Sequence, residues 1–220
     1  MLKVFALIPS RDDITVEKFH SHWRDIHGPL ATRITTIRGY IQSHAVREGP
    51  SGLPQAIYRG IAEVWFDDLD TALGMGADPD YVNGCGADES NFIDQSRLSF
   101  LFTNQEVPLG GPAMAPDSPE TKAILLLDVG GDAGAWTPTA VVDHALALPG
   151  LSFLSVSVSD GVLRQDGQPF DAVVELSWPD VAGFDTAWAG AAGSAFLKAL
   201  DESVDLSRSA AMLTQPLRVW

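Results

Sequence analysis

Four side chains in the first half of the chain are the candidates to move a proton: His27, Tyr40, His44 and Glu63. An imidazole titrates near neutrality, so it can take a proton in one step and return it in the next. A phenol or a second imidazole can hydrogen-bond a carbonyl oxygen while negative charge collects on it. Glu63 stands in the apolar run "GIAEVWF", and a carboxyl there should have a raised pKa unless it is paired, which suits a general acid or base. The structural alternative is a glutamate paired with Arg38, Arg59 or Arg97, and it has a slight edge because Glu175 holds the matching place in the second half.

His27 ends the stretch "FHSHWRDIH", which carries three of the five histidines. On a helix advancing about 100° per residue, Val16, Phe19, Trp23, Ile26 and Leu30 form one buried stripe. His27 falls on its shoulder, one turn after Trp23 and just before Gly28-Pro29, so its ring should lie against the indole at the edge of a cavity. His20 and His22 should face water. Helical metal ligands are usually spaced i, i+4; Ile26 follows His22 at that spacing and Trp23 precedes His27, so no metal is expected. Along "IRGYIQSHAVR" side chains alternate, which puts Tyr40, Gln42 and His44 on one face, opposite His27. The expected catalytic set is therefore His27, Tyr40 and His44, with Trp23, Gln42 and Glu63 binding substrate.

The elements that must position these residues repeat. Leu2 to Ile8, Ile37 to Val46, Tyr58 to Phe66 and Leu98 to Val107 read as strands, with a helix from Thr15 to Leu30 and helical pieces at Leu69 to Gly76 and Glu89 to Ile93. Lys122 to Val129, Leu151 to Ser159, Phe170 to Trp178 and Ser209 to Val219 follow as strands, with helices at Pro138 to Ala147 and Val181 to Leu200. Each half has the order βαββαβ. "IRGY" lies over "LPGL", "YRGIAEVWFDD" over "FDAVVELSWPD" and "DQSR" over "DLSR" at offsets of 111 or 112. The expectation is an α+β fold of two tandem ferredoxin-like domains, 1–108 and 121–220, packed sheet to sheet as an α+β barrel and joined by a Pro/Gly-rich linker at 109–120. In the second half Leu151, Phe153 and Ser155 fall over Tyr40, Gln42 and His44, and His144 falls out of register, so one active site is expected, in the first half.

Composition narrows the partners. The chain has 220 residues, 45% hydrophobic and 20% charged, as soluble globular proteins do. Its formal net charge of −15 repels nucleic acid and anionic membranes. One cysteine excludes an internal disulfide, which fits a reducing cytoplasm. The apolar start "MLKVFALIP" is too short for a signal segment, and no stretch approaches the roughly 20 apolar residues of a membrane helix. A small-molecule substrate is the expected partner, and a homodimer stays open.

The residues Phe19, His22, Trp23, His27, Pro29, Leu30 and Ala31, followed by "RGYIQSH" and "YRGIAEVWFDD", resemble the EthD family of the dimeric α+β barrel superfamily, over about residues 2 to 107. The resemblance implies a ferredoxin-like unit with a pocket between sheet and helices. Relatives include accessory proteins of ether degradation, methylmuconolactone isomerases, and fungal polyketide dehydratases and decarboxylases. In the characterised enzymes the residues matching His27 and Tyr40 line the pocket, and no cofactor is used. The expected function is thus cofactor-independent proton transfer, as an isomerase, dehydratase or lyase, on a small cyclic or aromatic oxygenated metabolite. The rivals are a non-catalytic accessory or ligand-binding protein and a haem enzyme using His27 or His44 as axial ligand, since other superfamily branches bind haem.

Overall fold

A computed structural model describes residues 1–110 and 120–220. The first half supplies strands β1 (Leu2–Ile8), β2 (Gly39–Arg47), β3 (Gly60–Phe66) and β4 (Ser99–Leu109). The second supplies β5 (Thr121–Asp128), β6 (Phe153–Val158), β7 (Ala172–Trp178) and β8 (Asp205–Arg218). Neighbouring strands are antiparallel, and the order β1-β3-β2-β8-β5-β7-β6-β4 closes into an eight-stranded barrel. Read by halves, that order is β4-β1-β3-β2 and β8-β5-β7-β6, the same pattern twice.

Packing sheet to sheet describes only part of this arrangement. A four-stranded sheet has two edges whose backbone groups lack partners. Here β2 pairs with β8 and β4 with β6, so the halves share one continuous hydrogen-bonded wall. Most of the expected linker, residues 111–119, lies outside the described residues; at its margins Leu109 still belongs to β4 and Thr121 opens β5.

Strand alternation divides each half into an inner and an outer face. Phe5, Leu7, Ile61, Leu101, Ile124, Leu126, Val173 and Met212 belong to the inner core. Beside them lie four buried charges. Lys3 Nζ is 3.0 Å from Glu63 and 2.5 Å from Glu175. Lys122 Nζ is 2.9 Å from Glu63 and 3.0 Å from Glu175. Ser43 and Ser155 each donate a hydrogen bond of 2.5 Å to one of the glutamates. Two positive and two negative groups, all hydrogen-bonded, let a dry interior tolerate ions that would be costly alone.

This arrangement corrects the reading of Glu63 as a substrate-binding residue. It is fully buried inside the barrel and pairs with two lysines. Two of the expected arginine partners are taken elsewhere, Arg38 by Asp67 at 2.6 Å and Arg97 by Asp94 at 2.5 Å.

The outer faces carry the helices. In the first half α1 (Val16–His22), a π-helical turn (Trp23–His27) and α2 (Gly28–Ala31) run on without a break. Thr15 starts the run by accepting the Lys18 N–H at 3.2 Å, an N-cap. The π-turn takes up an extra residue, so a regular helical wheel cannot hold across it. Ile26, expected in the buried stripe, is 49% exposed, and Val16 at the helix start is 41% exposed. Helices α3 (Leu69–Gly74) and α4 (Gly86–Asp88) complete this layer.

In the second half α5 (Thr139–Leu146), α6 (Val181–Ala189) and α7 (Ala191–Asp201) cover the outer face. The single helix expected over Val181 to Leu200 breaks at Gly190, whose ψ of 177° is extended. Ser155 points into the barrel and bonds Glu175, so it does not stand over His44. The outer positions of β6 are instead Leu154, Val156 and Val158, packed with Leu176, Trp178, Phe184 and Phe196. His144 is exposed and bonds the carbonyl of Ala140 on its own helix at 2.8 Å.

Candidate active site

Between the outer face of the first half and its helices lies a cavity of about 250 Å3. Alternate residues of the strands form its floor: Val4, Ala6 and Ile8 from β1, Ala62, Val64 and Phe66 from β3. Its polar lining is His27, Tyr40, Tyr81, Cys85 and Glu89, and neither lysine nor arginine lines it.

Of the six residues expected in the site, His27 and Tyr40 line this cavity. His27, 8% exposed, reaches it from the π-turn. Its Nδ1 is 3.2 Å from Asp88 Oδ2, which leaves Nε2 as the nitrogen for a ligand. Burial lowers the His27 pKa, and the hydrogen bond and charge of Asp88 offset only part of that. Burial pushes the Asp88 carboxyl up, but hydrogen bonds from Asn91 and His22 outweigh it and the net shift is downward. His27 is thus a neutral base oriented by an ionised carboxylate.

His22 does not face water as expected: its Nε2 is 2.9 Å from Asp88 Oδ1. The ring expected against His27 also differs. Phe92 packs on His27 with centroids 5.0 Å apart, whereas the Trp23 indole lies 4.4 Å from His44. Trp23 is therefore no cavity wall; it stands behind Tyr40 and donates Nε1–H to the phenol oxygen at 3.0 Å.

Tyr40 Oη accepts a second bond from Gln42 Nε2 at 3.1 Å. Burial raises its pKa, so the phenol stays protonated. Gln42 and His44 share the face of Tyr40 but lie behind it, against Trp23 and α1, rather than in the cavity. His44 Nε2 is 3.1 Å from Gln42 Oε1, and its Nδ1 is 2.8 Å from His20 Nδ1. Burial and the neighbouring His20 lower its pKa to about 3, so His44 is neutral. His20, expected on the surface, is half-buried in this contact.

The cavity holds polar residues that sequence reasoning missed. Glu89 accepts the Tyr81 hydroxyl at 2.8 Å and the Gln95 amide at 3.2 Å, and burial raises its pKa. Burial also pushes the Cys85 thiol up to about 12, so it is no thiolate nucleophile. Asp88 and Glu89 sit between α4 and a short 3-10 turn (Glu89–Asn91), in a segment whose acidic pair beside Phe92 and Ile93 was the available signal.

The family comparison falls on the same segment as the cavity. Residues 11–96 match the family model described as the EthD domain. The matched segment contributes His27, Tyr40, Asp88 and Glu89, while β1 and β4 frame it from outside the matched range. No curated protein matches the chain. Among solved structures the whole chain is similar in fold to an anthrone oxidase-like protein, with TM-score 0.62, 12% identity, and coverage of 99% of this chain and 93% of that one. It is also similar to a mutant chlorite dismutase from Candidatus Nitrospira defluvii, with TM-score 0.52, 10% identity, and coverage of 99% and 91%. At these identities the likeness is one of fold.

A haem does not fit here. The cavity lining offers no basic side chain to haem propionates. Both ring nitrogens of His44 are already engaged. Among the described residues, no group of three or more His, Cys, Asp or Glu is placed to hold a metal ion, and no helix is long and apolar enough to cross a membrane.

Proposed function

We propose that the cavity of the EthD domain is the active site of a cofactor-independent proton-transfer enzyme, an isomerase, dehydratase or lyase. The supporting observation is His27: its Nδ1 is fixed by Asp88 at 3.2 Å while the ring lines the cavity. His27 Nε2 takes the proton from a carbon next to a substrate carbonyl. Tyr40 donates its hydroxyl proton as a hydrogen bond to the carbonyl oxygen, which gains charge as the enolate forms. The imidazolium, stabilised by Asp88, returns the proton to a second carbon in an isomerisation or to a departing hydroxyl in a dehydration.

The lining narrows the substrate. An apolar wall without lysine or arginine favours a neutral, small cyclic or aromatic oxygenated molecule over a carboxylate or phosphate. The volume lies just below the roughly 300–1,000 Å3 of drug-sized sites. Turnover of neutral lactones and β-hydroxy-ketones should fall at least about a hundredfold in His27→Ala with folding intact. An unchanged rate would refute the proposal.

A second reading is a ligand-binding protein without turnover. The full pairing of Glu63 supports it, because one candidate acid is removed. The carboxylate rather than a backbone group on His27 Nδ1 supports chemistry. Ligand bound but recovered unchanged, with equal affinity in His27→Ala, would decide for the second reading.

The twofold strand order, with Ser43 and Ser155 serving Glu63 and Glu175 alike, also supports tandem duplication of a ferredoxin-like unit, 1–108 and 121–220, the second copy diverged.

A further inference from the structure

We propose that Gln42, His44 and His20 form a positioning chain that makes the Tyr40 hydroxyl donate into the cavity. The proposal rests on the proton-transfer reading above and adds to it the device that orients its hydrogen-bond donor.

One backbone carbonyl fixes the chain. Trp23 O can only accept, and Gln42 Nε2 lies 2.8 Å from it, so that atom is the amide nitrogen and not the oxygen. The second N–H of the same group points to Tyr40 Oη at 3.1 Å. With Trp23 Nε1–H also donated to Oη at 3.0 Å, the phenol oxygen receives two protons. Its own proton is left for the cavity that Tyr40 lines.

The other end of the amide carries the constraint outward. Gln42 Oε1 accepts, so His44 Nε2, 3.1 Å away, holds a proton. A neutral His44 then has a bare Nδ1, and His20 Nδ1, 2.8 Å away, must be the donor. That leaves His20 Nε2 without a proton; among the described residues this nitrogen has no hydrogen-bond partner. The two rings therefore hold opposite tautomers: His44 protonated on Nε2, His20 on Nδ1. Flipping the Gln42 amide would set its N–H₂ against His44 and its oxygen against Trp23 O, so the arrangement has one sense only.

The device explains why a buried row of Tyr, Gln and His is kept on a face otherwise filled with apolar side chains. It also replaces the direct contact with substrate expected of His44 and Gln42 by a role through Tyr40.

Imidazole nitrogen NMR on the intact protein tests the chain without any substrate. The expected spectrum shows His44 in the Nε2–H form and His20 in the Nδ1–H form. His44 protonated on Nδ1, or His20 on Nε2 with Nδ1 bare, overturns the proposal even where turnover is present. The kinetic arm uses a β-hydroxy-ketone turned over by the wild type. His44→Phe should lower kcat about tenfold with KM within about twofold, and His44→Gln, whose amide can still donate to Gln42 Oε1, should recover most of it. Added to Tyr40→Phe, His44→Phe should cost nothing further. Equal losses in the Phe and Gln variants, or additive losses in the double variant, overturn the positioning role. A wild type with no turnover but both expected tautomers counts against the enzyme reading alone.

Discussion

Asp88 Oδ2 stands 3.2 Å from His27 Nδ1, and Oδ1 of the same carboxylate stands 2.9 Å from His22 Nε2. The two histidines are five residues apart, a spacing that on a regular α-helix turns side chains about 140° away from each other. The π-turn at Trp23–His27 removes that divergence and brings both rings to one acceptor. A local departure from helical geometry thus builds the base of the site.

Asp88→Asn keeps the shape of this acceptor and removes its charge. The amide can present its nitrogen to one of the rings, so His27 loses both its fixed tautomer and the partner of its imidazolium. The expected loss in kcat is on the order of a hundredfold with a small change in KM. Because Asp88 raises a His27 pKa that burial lowers, the acid limb of kcat/KM should also move to lower pH. A limb that stays in place, or moves up, would contradict the pairing.

Stability should fall with acid through the same region of the fold. His44 has a pKa lowered from 6.5 to about 3 by burial and by His20, and His20 and His27 are lowered as well. The unfolded chain therefore binds protons that the native state refuses, and native stability present above pH 6.5 is lost as the pH falls toward the folded pKa. His44 alone accounts for at most about 4 kcal/mol over that window. Glu89, whose pKa is raised, works the other way. Urea midpoints should drop steadily between pH 7 and 4, and His44→Gln should flatten the curve; a flat wild-type curve would contradict the assignment.

The charges inside the barrel predict a different phenotype. Glu63→Gln leaves Lys3 and Lys122 with one buried carboxylate between them, at an expected cost of about 3–5 kcal/mol. Adding Lys3→Met removes one charge of the other sign and should recover part of that. Turnover per folded molecule should stay at the wild-type level, because Glu63 lies on the face of β3 opposite the cavity. Loss of kcat in a stably folded double variant would return Glu63 to the site.

What could be read beforehand follows from how local each signal is. Alternation along β2 placed Tyr40, Gln42 and His44 on one face without any tertiary information, and the internal offset linked Glu63 to Glu175. The face of Glu63 could not be read in this way. It depends on the β2–β3 register, where Ile41 pairs with Glu63 and so sends both side chains inward. Asp88 was missed because its partners are 61 and 66 residues away in sequence. The π-turn leaves no mark in hydrophobic periodicity, so the regular wheel sent His20 and His22 to water and Ile26 to the core.

Gly60 shows how closely the site's back wall is packed. A Cβ at this position would collide with Trp23 Cζ3 and lie 2.7 Å from Cη2, so even one methyl group must push the indole aside. That indole donates to Tyr40 Oη and packs against His44, so its displacement is transmitted to the donor that faces the cavity. Gly60→Ala is expected to destabilise the fold by about 1–3 kcal/mol through overpacking and to lower kcat along with it. Gly74→Ala serves as the contrast. Gly74 ends α3 with a helical φ of −69°, and a Cβ there would meet nothing within 4 Å, so alanine should be neutral or stabilising by up to about 1 kcal/mol. Equal urea midpoints for the two variants would mean that the Trp23 indole has room to move, and that its bond to Tyr40 is not held by the packing of β3.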